Sequence, residues 1–101
     1  RAAPTPLRAL TGAELGELAV HLEWGDPEPF LGTNGRRLLL SDDADLDRLG
    51  VRDPLTRKLV LEDVGALRQT GVDAGRMDII RATLRRREME AEAEAEAEAA
   101  R

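Results

Sequence analysis

Apolar residues recur every three or four positions along most of this chain, and that spacing places them on one face of an α-helix. The first such stripe follows Thr11 and Glu14, which have the spacing of a capping box, and Gly25 comes after it. Its members are Leu15, Leu18, Ala19 and Leu22. A helix of about three turns is therefore predicted between the capping box and the glycine.

The segment between residues 27 and 40 predicts two short helical pieces. Its two prolines restrict residues 27–32 to a single turn or a 3₁₀ piece, in which Phe30 and Leu31 are predicted to fill the core. A short helix over residues 36–40 is predicted next, after an Asn-Gly pair. No alternating pattern flanks this pair, so the sequence favours a helix here over a β-hairpin.

Two further helices are predicted from their caps. Ser41 is expected to cap a helix over residues 42–49, with acidic residues in its first turn. Asp53 followed by proline then opens the longest helix, over residues 54–70. The buried stripe of this longest helix is predicted to consist of Leu55, Leu59, Val60, Val64 and Leu67.

The two ends of the chain have different patterns. Residues 1–10 contain two prolines and are predicted to be a flexible leader. An amphipathic helix is predicted over residues 74–90, with its apolar positions at Met77, Ile80 and Leu84. Beyond it Glu and Ala alternate, which leaves no apolar face and sets glutamates four positions apart, so residues 91–101 are predicted to be a frayed, low-complexity acidic tail.

Composition agrees with an all-α protein. Sixteen leucines stand against five valines, two isoleucines and two aromatic residues, which argues against a sheet. The 101 residues support one domain, and the lack of cysteine excludes disulfides and thiolate-bound zinc. The apolar runs are too short to span a bilayer and no signal-peptide pattern opens the chain, so a cytoplasmic or nuclear location is expected.

Charge is distributed unevenly along the chain. The formal net charge of −5 arises from residues 88–101, which hold six glutamates and one arginine, whereas residues 1–87 hold 14 basic and 14 acidic side chains. Within this neutral body, acidic residues cluster in residues 42–47 and basic residues in residues 52–58. These two clusters are predicted to lie on different parts of the surface.

The order of motifs resembles the sterile alpha motif (SAM) family. Residues 34–51, NGRRLLLSDDADLDRLGV, are similar to the family's central pattern, in which (D/N)G-x-x-LL-x-L-(S/T) precedes D-L-x-x-LG-(I/V). Residues 57–61, RKLVL, followed by Val64 and Leu67, resemble its final helix. The resemblance implies a compact five-helix bundle, divergent around its second helix, to which this chain adds a C-terminal helix and a Glu/Ala-rich tail.

The same resemblance implies a protein–protein interaction module. Many SAM domains associate head to tail, with an end-helix surface on one molecule meeting a mid-loop surface on another. Carried over to this chain, the end-helix surface comprises Gly50, Val51, Arg52, Leu55, Arg57 and Lys58. The mid-loop surface comprises Leu40, Asp42, Asp43, Asp45, Leu46 and Asp47. The expected partner is a second copy of the chain, forming a homo-oligomer or polymer, or another SAM domain.

Two alternatives concern the C-terminal helix. Nucleic-acid binding would use its clustered arginines, which are Arg76, Arg81, Arg85, Arg86 and Arg87. Against it stand the neutral body, the adjacent acidic tail and the scarcity of aromatic residues for base stacking. The apolar face of this helix could instead pack on a partner helix, although docking on its own domain is the stronger expectation.

No catalytic or metal site is expected. His21 is the only histidine, and the sequence assembles no nucleophile or base around it. The aspartates of residues 42–47 lack the glycine and the final glutamate of a calcium-binding loop. The sequence therefore predicts a protein that is not an enzyme and needs no cofactor.

Overall fold

The computed structural model describes residues 3–100, and this part of the chain is all-α. Its helices are α1 (Gly12–His21), α2 (Glu28–Leu31), α3 (Gly35–Leu39), α4 (Asp43–Leu49), α5 (Pro54–Thr70) and α6 (Ala74–Ala99), preceded by a 3₁₀ turn at Leu7–Ala9. The described residues contain no β-strand, only an isolated bridge between Thr5 and Val72. None of these helices is both long and apolar enough to cross a membrane.

The core takes buried side chains from all six helices and from residues 7–10. Phe30 on α2 is fully buried, and its ring centroid lies 5.2 Å from that of Trp24, which follows α1. The indole Nε1 of Trp24 donates a hydrogen bond of 2.7 Å to the Asp63 carboxylate on α5. Phe30 thus fills the core as predicted, whereas Leu31 does not and remains 47% exposed.

Capping residues define most helix starts. Thr11 and Glu14 form the predicted capping box of α1. At α4 the prediction was wrong by one residue, since Asp42 is the cap and forms a second capping box with Asp45, while the Ser41 hydroxyl donates to the carbonyl of Arg37. Asp42 takes this position because an acidic residue follows it three positions later and closes the capping box, whereas Ala44 holds that position relative to Ser41.

Helix α5 has the predicted bounds but a narrower buried stripe. Val60 and Val64 are buried and Leu67 is partly buried against the core. Leu55 and Leu59 are exposed, which corrects the prediction that they belong to the stripe. Both leucines lie on the outward side of α5, one turn apart.

Residues 5–10 pack into the domain, where the sequence predicted a flexible leader. Leu7 and Leu10 are each only 2% exposed, and Thr5 exchanges two backbone hydrogen bonds of 2.8 and 2.7 Å with Val72. Gly35 permits this packing, because a Cβ there would lie 1.7 Å from the carbonyl oxygen of Leu7. The N-terminal segment is therefore part of the core.

Helix α6 has two unlike halves. Met77 and Ile80 are buried, and Leu84 is partly buried, so the first half docks on the domain as expected. The helix then continues without interruption to Ala99, although fraying was predicted after residue 90. Residues 88–100 are exposed on every side, so good helix formers alone account for the extension.

Candidate interaction surfaces

The acidic residues of α4 and the basic residues of α5 meet within one molecule. The guanidinium Nε of Arg57 lies 2.8 Å from the Asp43 carboxylate, and its Nη1 lies 3.6 Å from Asp47. The two helices pack side by side, so Arg57 at the end of the first turn of α5 reaches α4. The prediction that the acidic and basic clusters lie on different parts of the surface is therefore wrong for these residues.

Arg57 is held in place by more than its ion pairs. Its Nη1 also donates hydrogen bonds to the carbonyl oxygens of Val51, at 3.1 Å, and Arg52, at 2.8 Å. Only 12% of its side chain is accessible to solvent. Arg57 consequently holds the loop between α4 and α5 in place, and its guanidinium is largely inaccessible to a partner.

The neighbouring charges are also engaged inside the chain. Arg52 lies 3.4 Å from Asp47, and Arg48 pairs with Asp45 one turn earlier on α4. The N–H of Asp42 and the Arg48 guanidinium together lower the pKa of the Asp45 carboxyl. At the start of α5, the Thr56 hydroxyl and the Leu55 N–H lower the pKa of Asp53.

Few of the residues predicted for the two surfaces are available for contact. Leu46 is fully buried, Val51 is 6% exposed, and Gly50 lies half-buried at the end of α4. In contrast, Leu40 after α3 is 79% exposed and Leu55 on α5 is 77% exposed, the two highest values among large apolar residues that the structure describes. Each lies on one of the two predicted surfaces.

Lys58 completes the accessible part of the end-helix surface. It is exposed, and it makes no ion pair within residues 3–100. Leu59, which the sequence assigned to the core, is 37% exposed beside it. The outward side of α5 therefore carries two leucines and one lysine. The spacing of apolar residues along α5 did not distinguish this outward side from the buried side.

Two of the arginines of α6 form ion pairs with α1. Arg81 lies 3.1 Å from Glu14, and Arg87 pairs with Glu17, whose side chain is only 7% exposed. Partial burial acts to raise the pKa of Glu14, but the Thr11 N–H and the Arg81 guanidinium outweigh it and lower this pKa. Both pairs join α6 to α1, so they serve the packing of the domain.

The remaining arginines of this helix make no ion pair in residues 3–100. Arg76 is partly buried, while Arg85 and Arg86 are exposed. Arg86 makes no ion pair with Glu90, one helical turn further on. The basic surface available to a nucleic acid is thus smaller than the count of five arginines implied.

Glu17 is the buried charged residue that the sequence analysis did not single out. It lies within the apolar stripe of α1, between Leu15 and Leu18, and its partner Arg87 is distant in sequence. Only the docking of α6 brings the two together, so no local pattern could have indicated the pair. No three His, Asp or Glu side chains within residues 3–100 are arranged to share a metal ion.

A comparison of the chain with protein families, with curated proteins and with solved structures finds no match. The resemblance to SAM domains therefore stays a prediction drawn from residues 34–67.

Proposed function

We propose that this chain is a protein–protein interaction module of SAM type, which associates head to tail with a second copy or with another SAM domain. The observation that supports the proposal is the exposure of Leu40 and Leu55, at 79% and 77%. Burying two such side chains in a contact stabilises it by about 1.5–3 kcal/mol each. The module would act in the cytoplasm or nucleus.

The contact that we propose is mainly apolar. Arg57 and Asp43 already neutralise each other within the molecule, so they cannot attract a partner strongly. Leu55 and Leu59 of one molecule would pack against Leu40 of the next, and Lys58 would face the exposed Asp42 at the rim. Because the two patches differ, each molecule could bind two neighbours, and the assembly would grow as an open chain.

The test is sedimentation velocity of Leu40→Glu, Leu55→Glu and the wild type, with Val20→Glu as the control. Val20 is 50% exposed on α1, outside both surfaces. We expect the wild type and the control to form oligomers that grow with concentration, and each leucine variant alone to lose this growth. An equimolar mixture of the two leucine variants should associate more than either variant alone, because each variant retains one intact surface.

Either of two results would contradict the head-to-tail contact between copies. One is a wild type that stays monomeric up to about 1 mM at low salt, which corresponds to an association weaker than about 4 kcal/mol. The other is a mixture of the leucine variants that behaves as its separate components do. Reversal of Arg57 is a poorer probe, since Arg57 supports the α4–α5 loop.

A further inference from the structure

We propose that α6 pairs with the α6 of a second copy in an antiparallel arrangement. The inference concerns a different surface from the head-to-tail contact and does not depend on it. It begins from the second half of α6, residues 88–100, all of which are exposed.

The outward face of α6 has the spacing of a coiled-coil seam. Steps of three and four residues connect Ile79, Ala82, Arg86, Met89, Ala93, Glu96 and Ala100, and all seven are exposed. Ile79 is 57% exposed and Met89 is 69% exposed, which are high values for apolar side chains. This face lies opposite Met77 and Ile80, so docking on α1 leaves it free.

The charges along α6 select the orientation of the second helix. Four arginines lie within residues 81–87, and six glutamates lie within residues 88–98. A parallel pair would set like charges side by side, whereas an antiparallel pair sets the arginine block of each copy against the glutamate block of the other. The twofold axis of such a pair passes between Arg87 and Glu88.

This register also determines which residues face each other. Ala82 lies opposite Ala93 of the second copy, where two small side chains allow the helices to approach closely. Arg86 lies opposite Met89 and can lay its aliphatic stem along it. At the flank, Arg85 lies opposite Glu92, and both are exposed and without ion pairs in residues 3–100.

The pair would cover surface that each molecule leaves open. The free half of one α6, residues 88–100, would lie along the outward face of the docked half of the other. The overlap spans residues 75–100, a length of about 39 Å. The two domain bodies lie on the outer sides of the pair, because each body contacts the opposite face of its own helix.

Charge reversal tests the pairing by sedimentation equilibrium of the full chain from about 10 µM to 1 mM. The Leu55→Glu substitution is present throughout to remove the head-to-tail contact. We expect a dimer that Arg85→Glu or Glu92→Arg weakens roughly tenfold, since each reversal affects two symmetric contacts. Mixing these two variants should restore the dimer, because both flanking contacts then join opposite charges. Glu98→Arg, the same charge change on the other side of the helix, is the matched control and should have a smaller effect.

Disulfide trapping tests the orientation, and the lack of native cysteine makes single-cysteine variants unambiguous. A mixture of Ala82→Cys and Ala93→Cys variants should form a mixed disulfide, and neither variant should cross-link efficiently alone. Cross-linking of Ala82→Cys with itself would indicate a parallel pair and overturn the proposal.

In the sedimentation experiment, a monomer at every concentration, or a mixture of the charge-reversal variants that fails to restore the dimer, would overturn the proposal as well. Neither result would bear on the Leu40 and Leu55 variants.

Discussion

The two ends of this chain contrast in how they gain structure. Residues 5–10 form little more than a 3₁₀ turn, yet Leu7 and Leu10 are buried in the core. Residues 88–99 form several regular helical turns, yet they bury nothing in the molecule. Regular secondary structure and packing are therefore separate properties here, one set by backbone propensity and the other by apolar surface.

The largest expected change in the free energy of unfolding comes from a substitution in the buried N-terminal segment, residues 5–10. We expect Leu10→Ala to lower the free energy of unfolding by about 2–5 kcal/mol, since it leaves a cavity beneath α3. Leu40→Ala, the same change at an exposed leucine, should cost less than about 1 kcal/mol. Urea denaturation followed by circular dichroism measures both. Equal losses for the two variants would show that residues 5–10 contribute little to the fold.

Two glycines, one beside the N-terminal segment and one inside α5, should respond to alanine substitution in opposite directions. Gly71 has a φ of +70°, and a Cβ there would lie 2.9 Å from the Thr5 carbonyl oxygen, so Gly71→Ala should lower the free energy of unfolding by about 1–3 kcal/mol.

Gly65 is the matched control, since it lies inside α5 with no neighbour within 4 Å of a Cβ. Gly65→Ala should raise the free energy of unfolding by up to about 1 kcal/mol. Thermal unfolding measures both variants. A stabilised Gly71→Ala protein would mean that the Thr5–Val72 contact does not constrain the chain.

The smallest expected change in the free energy of unfolding comes from a substitution in the exposed end of α6, residues 88–99. Ala95→Pro interrupts α6 beyond its contacts, so we expect a loss of helical signal at 222 nm while the free energy of unfolding changes by less than about 0.5 kcal/mol. The measurement belongs at low micromolar concentration, where paired α6 helices would dissociate. A large loss of stability in the monomer would show that residues 88–99 do contribute to the fold.

Much of the helical architecture could be predicted because its signals are local. The capping box at Thr11 and the cap-then-proline pair at Asp53 identified the starts of α1 and α5. The prediction failed at Ser41, where two adjacent residues can both cap and the choice depended on Asp45 closing a capping box. It also failed for Leu55 and Leu59, which are exposed. The presence of a leucine in a helix does not indicate whether its face of the helix packs against the domain.

The candidate surfaces were harder to predict because their charges meet across helices. Asp43 and Arg57 each have an ordinary local explanation, one as a first-turn acid and the other as a solvated cation. Their pairing at 2.8 Å required α4 and α5 to pack side by side. The same holds for Glu17 and Arg87, which no sequence spacing connects.

The sequence by itself determined the all-α class, the bounds of the longest helix and the chemical division of α6 into basic and acidic halves. These properties depend on propensity, caps and composition, which act over a few residues. Only the tertiary structure decided which leucines are exposed, which charges neutralise each other, and that residues 5–10 belong to the core. Those outcomes depend on which surfaces come together, because burial and ion pairing arise between segments that are distant along the chain.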